Sequence, residues 1–439
     1  MNNRFGSSIG FLLFILIILT SCITSKLRIE NQSIRKYLDS SVAFKKSFTG
    51  FSLYDPSKGV YVFKHNDHKF FTPASNTKLL TFYAGKKVLG DSIPGIKYIN
   101  HEDTIVFSGM GDPTFLHPLF KNQPVYHFLS DTGKILIYKE TPFFNERFGP
   151  GWSWDDYPYY FSPENTSFPI YGNVVWIRKY GLEDKIVINP EIFKRSIIMV
   201  KDSIYGYSRN EKENLFTLRN NPFRDTIETE IPFLNSNNLL RRLLYDTLGI
   251  RITDHPLVQK TQDMSILKSQ PTDSLMKYML VESDNFFAEQ ILLMSSGILY
   301  DTLETERFIN YAIENYFPEL EDKINWVDGS GLSRYNQVTP ESMVLLLNRI
   351  YSDYDQDLIR TLFPNGGESG TLKDSFKNKK PYIIAKTGSM SNVYNLSGYM
   401  ITKNGKWLIF SFMNNNFDIP TSEIRFEIEK ILFSIHNQF

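Results

Sequence analysis

Three short stretches carry side chains whose types and spacing can do chemistry together. The first is Ser75-Asn76-Thr77-Lys78, led in by Pro73-Ala74 and continued by Leu79, Leu80 and Phe82. On a helix, residues three apart share a face, so the Ser75 hydroxyl and the Lys78 amine stand side by side. A serine hydroxyl is a weak nucleophile at its free pKa. A lysine held in a low-dielectric site loses its proton more readily, because burial disfavours the ammonium, and the neutral amine can then take the serine proton. The second stretch is Ser283-Asp284-Asn285, between two helical runs. There a serine hydroxyl can relay a proton, and an asparagine amide can both donate and accept. The third is Lys386-Thr387-Gly388, followed by Ser389, at the end of the apolar run Tyr382 to Ala385. It offers a cation, a hydroxyl for an anion, and a glycine that lets a ligand lie against a strand edge.

No one of these stretches is decisive. Ser33-Lys36, Ser265-Lys268 and Ser274-Lys277 repeat the first spacing, and Ser236-Asn237-Asn238 imitates the second. A capping serine beside a surface lysine also gives Ser-x-x-Lys. His65 and His68 are three apart in a polar loop, but no helix or third ligand accompanies them, so no metal is expected. The order of the three stretches along the chain is what selects Ser75.

The elements that must position them can be read from the pattern. Residues 26–48 give a linker and then a helix with Ile34, Leu38 and Val42 on one side. Phe51 to Tyr54 and Val60 to Phe63, around Asp55-Pro56-Ser57-Lys58-Gly59, predict a hairpin. The Ser75 helix should run to about Leu89-Gly90. From about 95 to 264 short strand-like runs dominate (Asp103 to Phe107, Ile135 to Tyr138, Asn173 to Ile177, Ile186 to Ile188, Ile197 to Val200), with a helix at Asn237 to Leu248. Within that region Trp152 to Phe161 forms an aromatic and acidic patch, expected as a packed loop or a ligand contact. Helices are expected from about 265, over Ser274 to Val281, Phe286 to Met294, Thr302 to Tyr316 and Pro340 to Tyr351. The chain closes with strands Tyr382 to Ala385, Asn395 to Thr402 and Trp407 to Met413, then the helix Ser422 to Ile435. Strands from both ends can meet in one antiparallel sheet with the middle helices against it.

The 439 residues allow two or three domains. Lys+Arg and Asp+Glu are equal at 48 each, so the charge balance does not favour nucleic acid as a partner. Arg4 and the apolar run Phe11 to Leu19 have the length and flanks of a secretory signal. Leu19-Thr20-Ser21-Cys22 follows directly, and Cys22 is the single cysteine. This resembles a bacterial lipobox, which implies cleavage after residue 21, lipidation of Cys22 and anchoring of an exported domain at a membrane of the cell envelope, facing the periplasm. With no other cysteine, the exported domain must be held by its core rather than by disulfides.

Taken together, Ser-x-x-Lys after a hairpin, Ser-Asp-Asn at a helical turn and Lys-Thr-Gly on a late strand match the motif set of penicillin-binding proteins and serine β-lactamases. The long separation of Ser75 from Ser283 resembles the D-alanyl-D-alanine carboxypeptidase/endopeptidase family of low-molecular-mass penicillin-binding proteins. So do Gly109 to Thr114, Ser283 to Glu289, Asp328 to Asn336 and Gly370-Thr371-Leu372. The resemblance implies an α+β, β-lactamase/transpeptidase-like domain (residues 22–94 and 265–439) carrying a mostly β insertion at 95–264. It implies hydrolysis of peptidoglycan stem peptides ending in D-Ala-D-Ala through an acyl-serine, inhibition by β-lactams, and no cofactor. Ser75, Lys78, Ser283 and Asn285 would be catalytic. Lys386, Thr387, Gly388 and Ser389 would bind substrate, with the backbone N–H groups of Ser75 and Ser389 as oxyanion donors. A β-lactamase is the nearest alternative, with Glu289 the nearest acid to activate water. A lipid-anchored sensor without turnover is another.

Overall fold

The computed structural model describes residues 32–180, 186–202, 204–220, 226–253 and 264–438. The signal-like run and Cys22 therefore lie outside the described residues. The chain divides into two compact units, one of residues 1–72, 338–354 and 365–439, the other of residues 73–337 and 355–364.

In the first unit, a run of apolar strands at the C-terminus pairs with the hairpin near the N-terminus. The sheet order is Ile383–Met390, Val393–Ile401, Trp407–Asn415, Phe48–Asp55, Val60–His65, every pairing antiparallel. Phe51 lies opposite Phe412 and their rings stack at 4.5 Å. Every residue of Trp407–Asn415 is buried, which explains its unalternating apolar run: such strands are covered on both faces. One face packs against Ile34, Leu38 and Phe44 and against Ile424, Ile428 and Leu432 of the last helix, Thr421–Gln438. The helix Pro340–Asp353 lies against the same sheet, and Tyr399 Oη donates to Leu347 O at 2.8 Å. Val42 departs from the expected stripe. Ser41 caps a separate short helix, Val42–Lys45, and Val42 is exposed.

The second unit holds the helices Lys78–Leu89, Thr272–Val281, Asn285–Tyr300, Thr305–Tyr316 and Gln356–Leu362. Leu79 to Gly85 are all buried, as expected for a helix that is apolar nearly all round. Gly85 makes this possible: a Cβ there would come within 2.5 Å of Ile291 Cγ2. The Lys78 helix and the Asn285 helix therefore approach closely. The β part contains a five-stranded sheet ordered Ile252–Thr253, Ile135–Tyr138, Thr104–Gly109, Ser92–Asn100, Ser265–Pro271, and two three-stranded sheets. Ser265–Pro271 is thus a strand where helix was expected to resume. It pairs antiparallel with Ser92–Asn100, Leu267 opposite Ile96, so the chain leaves and re-enters the helical layer through neighbouring strands. Phe107, Phe168, Phe193, Phe216, Phe233 and Leu244 belong to one core beneath these sheets.

Candidate active site

Ser75 lies in a single 3-10 turn, Ala74–Thr77, that runs directly into the helix Lys78–Leu89. Ala74 has φ +47°, a left-handed conformation that a residue with a Cβ rarely adopts. It is held there from both sides. Thr77 Oγ1 donates to Ala74 O at 2.9 Å, and Gly331, at φ +82°, sits so close that a Cβ would fall 1.9 Å from Ala74 O. Ser75 is partly accessible while Ala74, Asn76, Thr77 and Lys78 are buried.

Lys78 is completely buried. Its Nζ donates to Ser75 Oγ at 2.9 Å, Asn285 Oδ1 at 2.7 Å and Ser330 O at 2.8 Å. Burial pulls its pKa from 10.5 down to about 8, against the opposing pull of Asp284, Glu289 and Asp328. When the ammonium loses a proton, two N–H bonds remain. Asn285 Oδ1 and Ser330 O can only accept, so they keep those two, and the lone pair is left facing Ser75. The other spacing matches lack this setting. Ser33, Lys36, Lys268 and Lys277 are exposed, and Ser265 and Lys268 lie on a strand.

Asn285 begins the helix Asn285–Tyr300, capped by Asp284, whose carboxylate accepts from Phe287 N at 2.8 Å. Burial raises the Asp284 pKa. Ser283, at φ +60°, makes the turn from the preceding helix. Asn285 is oriented by both ends of its amide: Oδ1 faces Lys78, and Nδ2 donates to Phe161 O at 2.9 Å.

Two buried acids complete the setting. Glu289 accepts from Gly329 N at 2.9 Å and Ser330 N at 2.7 Å. It thereby fixes the Gly329–Ser330 peptide, whose carbonyl accepts from Thr81 Oγ1, and burial pushes its pKa up to about 8. Asp328 accepts from Gly331 N, Ser333 N, Asn336 Nδ2 and Trp152 Nε1 at 2.7–3.0 Å; burial likewise raises its pKa. Sequence reasoning read Asp328 to Gly331 as a Gly-rich turn between helices and placed Asp328 to Asn336 within a family resemblance. Trp152 and Phe161 came from the aromatic and acidic patch, where packing and ligand contact stood as alternatives. Here Trp152 donates to Asp328 and Phe161 O accepts from Asn285, so both tie the loop to the surroundings of Ser75. The signal was the density of aromatics alone.

In the first unit, Lys386 to Ser389 do not end the strand but occupy its middle, Ile383–Met390, at one edge of the five-stranded sheet. Lys386 faces Ser397 in register and Gly388 faces Asn395. Alternation puts Lys386 and Thr387 on opposite faces. Lys386 is fully buried, its Nζ donating to Thr387 O at 3.0 Å. Among the described residues no group of three or more His, Cys, Asp or Glu is placed to hold a metal.

A serine hydroxyl with a buried, pKa-lowered lysine at its side is the arrangement that a serine hydrolase working through an acyl-serine requires. Comparison with known proteins gives the family. The family model of D-Ala-D-Ala carboxypeptidase 3 (S13) matches residues 30–193 and 236–432, and the chain belongs to that family. It is 24% identical over 415 residues to D-alanyl-D-alanine carboxypeptidase DacB of Haemophilus influenzae, covering 84% of this chain and 85% of the relative. It is 25% identical over 455 residues to penicillin-sensitive carboxypeptidase A of Dictyostelium discoideum, covering 87% and 85%. The fold resembles the crystal structure of penicillin binding protein 4 from Haemophilus influenzae, with a TM-score of 0.73 at 21% identity over 90% of this chain and 97% of that one.

Proposed function

We infer that the protein is a penicillin-binding serine peptidase that cleaves D-Ala-D-Ala stem peptides of peptidoglycan, with Ser75 as nucleophile. The observation that carries this is the Lys78 amine, buried and held by two carbonyl acceptors so that its lone pair meets Ser75 Oγ. Neutral Lys78 takes the Ser75 proton as Oγ attacks the carbonyl of the penultimate D-Ala. The C–N bond breaks, D-Ala leaves with a proton relayed through Ser283, and water hydrolyses the acyl-serine. Asn285 positions the acyl side. On the strength of their motif and strand chemistry, Lys386, Thr387, Gly388 and Ser389 are assigned to the carboxylate end of the substrate. The names of the two relatives support the substrate class and sensitivity to penicillin.

Glu289 does not serve as a β-lactamase's water-activating base. Both its oxygens are occupied by backbone N–H groups and it is 2% exposed. Fluorescent penicillin should label the protein covalently, and Ser75→Ala should abolish the label. Labelling that persists in Ser75→Ala, or moves to Ser33, Ser265 or Ser274, refutes the assignment. Digestion of purified muropeptides with mass readout then separates carboxypeptidase from endopeptidase action: loss of one D-Ala from monomers, against conversion of cross-linked dimers to monomers.

The reading also takes Cys22 as a lipidated mature N-terminus that anchors the enzyme in the cell envelope, facing the periplasm. It takes residues 95–264 as an insertion into a catalytic domain of 22–94 and 265–439. The lipobox-like Leu19 to Cys22 supports the anchor.

A further inference from the structure

The helix Asn285–Tyr300 is tied at two places to an irregular segment, residues 161–166. At the first, Asn285 Nδ2 donates to Phe161 O at 2.9 Å. At the second, Gln290 grips Thr166. Its Nε2 donates to Thr166 O at 3.0 Å and to Gly111 O at 2.8 Å, and its Oε1 accepts from Thr166 N at 3.4 Å. Gln290 is completely buried, and its amide serves backbone groups that have no ladder of their own to satisfy them. Asn173 braces the same segment, its Nδ2 donating to Glu164 O at 3.0 Å and to Thr166 Oγ1 at 3.2 Å. Residues 162–165, between the two ties, are buried. A close-packed segment transmits a displacement at one end to the other.

The first tie decides which way the Asn285 amide faces. The two ends of an amide are alike in shape and opposite in chemistry. Phe161 O can only accept, so it admits Nδ2 and turns Oδ1 towards Lys78. The reversed amide would set Oδ1 against Phe161 O and offer Lys78 a donor. That donor would repel the ammonium, and on the neutral amine it would take the lone pair that Ser75 needs. We propose that Gln290 is a positioning residue for acylation: by gripping Thr166 it holds Phe161 O where it keeps the Asn285 amide in its productive orientation. Gln290 acts through Asn285 rather than on the substrate, and the segment it grips takes part in preparing the base.

The inference rests on the reading of Lys78 and Asn285 as catalytic, and a double-mutant cycle on the full chain tests the two separately. The quantity measured is the rate of acylation by fluorescent penicillin. Gln290→Met keeps the length of the side chain and removes its bonds to Thr166 and Gly111. It should slow acylation roughly tenfold to a hundredfold, the scale for a small misplacement of a reacting group. In an Asn285→Ala background the same change should cost at most about twofold, because the amide it orients is gone. The pH midpoint of acylation, expected at about 8, should fall in Gln290→Met, because Oδ1 no longer favours the ammonium. Gln290→Glu carries the same cycle should the methionine variant fold poorly, since a carboxyl donates at most one bond where the amide donates two. Equal losses in both backgrounds, or a midpoint left at about 8 in Gln290→Met, overturn the positioning role and leave the catalytic reading standing. A wild-type rate in Asn285→Ala overturns the catalytic reading of Asn285 and the positioning role with it.

Discussion

The acylation rate should follow the protonation of Lys78. Only the neutral amine can accept the Ser75 proton, and burial has brought its pKa from 10.5 to about 8. At pH 7 roughly one Lys78 in ten is then neutral, against about one in three thousand for an ordinary lysine. The gain is roughly 300-fold in active base, equivalent to about 3 kcal/mol. The assay is the second-order rate of Ser75 labelling by fluorescent penicillin across pH. Below about pH 8 the rate should rise about tenfold per pH step of one, and above it level off. Lys78→Arg should be inert at every pH, because guanidinium does not give up its proton in this range. A rate that is flat between about pH 6 and 8, or that climbs unabated past pH 9, would refute the argument that burial prepares this lysine as the base.

Three further outcomes follow from other parts of the molecule. Asp328→Ala strands the buried N–H donors of Gly331, Ser333, Trp152 and Asn336. It should lower stability by about 3–5 kcal/mol, and a denaturant midpoint that hardly moves would contradict this. His117 is packed against the rings of Phe120, Trp176 and Phe287, and burial lowers its pKa from 6.5 to about 4. The unfolded chain binds the proton first as pH falls. The stability linked to His117 is therefore complete above about pH 6.5, declines from there to about pH 4, and amounts to about 3 kcal/mol. His117→Phe should flatten that slope in thermal melts, and an unchanged slope would assign it to other groups. Cys22→Ser should abolish partition into the detergent phase, and identical partition of mutant and wild type would remove the anchor from the reading.

What the residues disclosed, and what they withheld, divides along a physical line. The hairpin Phe48–Asp55 and Val60–His65 was legible because aromatic and β-branched runs flank a Pro/Gly turn. The helix Asn237–Leu248 was legible because its apolar period is clean and Ser236 caps it. The strand Ser92–Asn100 was not, because Pro94 and Gly95 interrupt its pattern. Ser265–Pro271 was not, because its outward residues are largely exposed and only pairing with Ser92–Asn100 makes it a strand. The same line runs through the site. Ser75, Lys78 and Asn285 announce themselves because the proposed chemistry needs their side-chain types at that spacing. Glu289 and Asp328 do not, because they act through backbone: each gathers N–H groups of the Gly329–Ser333 turn. Glu289 holds the Gly329–Ser330 peptide, and Asp328 holds the Ser330–Gly331 peptide, whose carbonyl accepts from Lys78 and whose Gly331 presses on Ala74. A substitution at Asp328 therefore reaches Ser75 along two routes, through the third acceptor of Lys78 and through Ala74, the strained residue just before it.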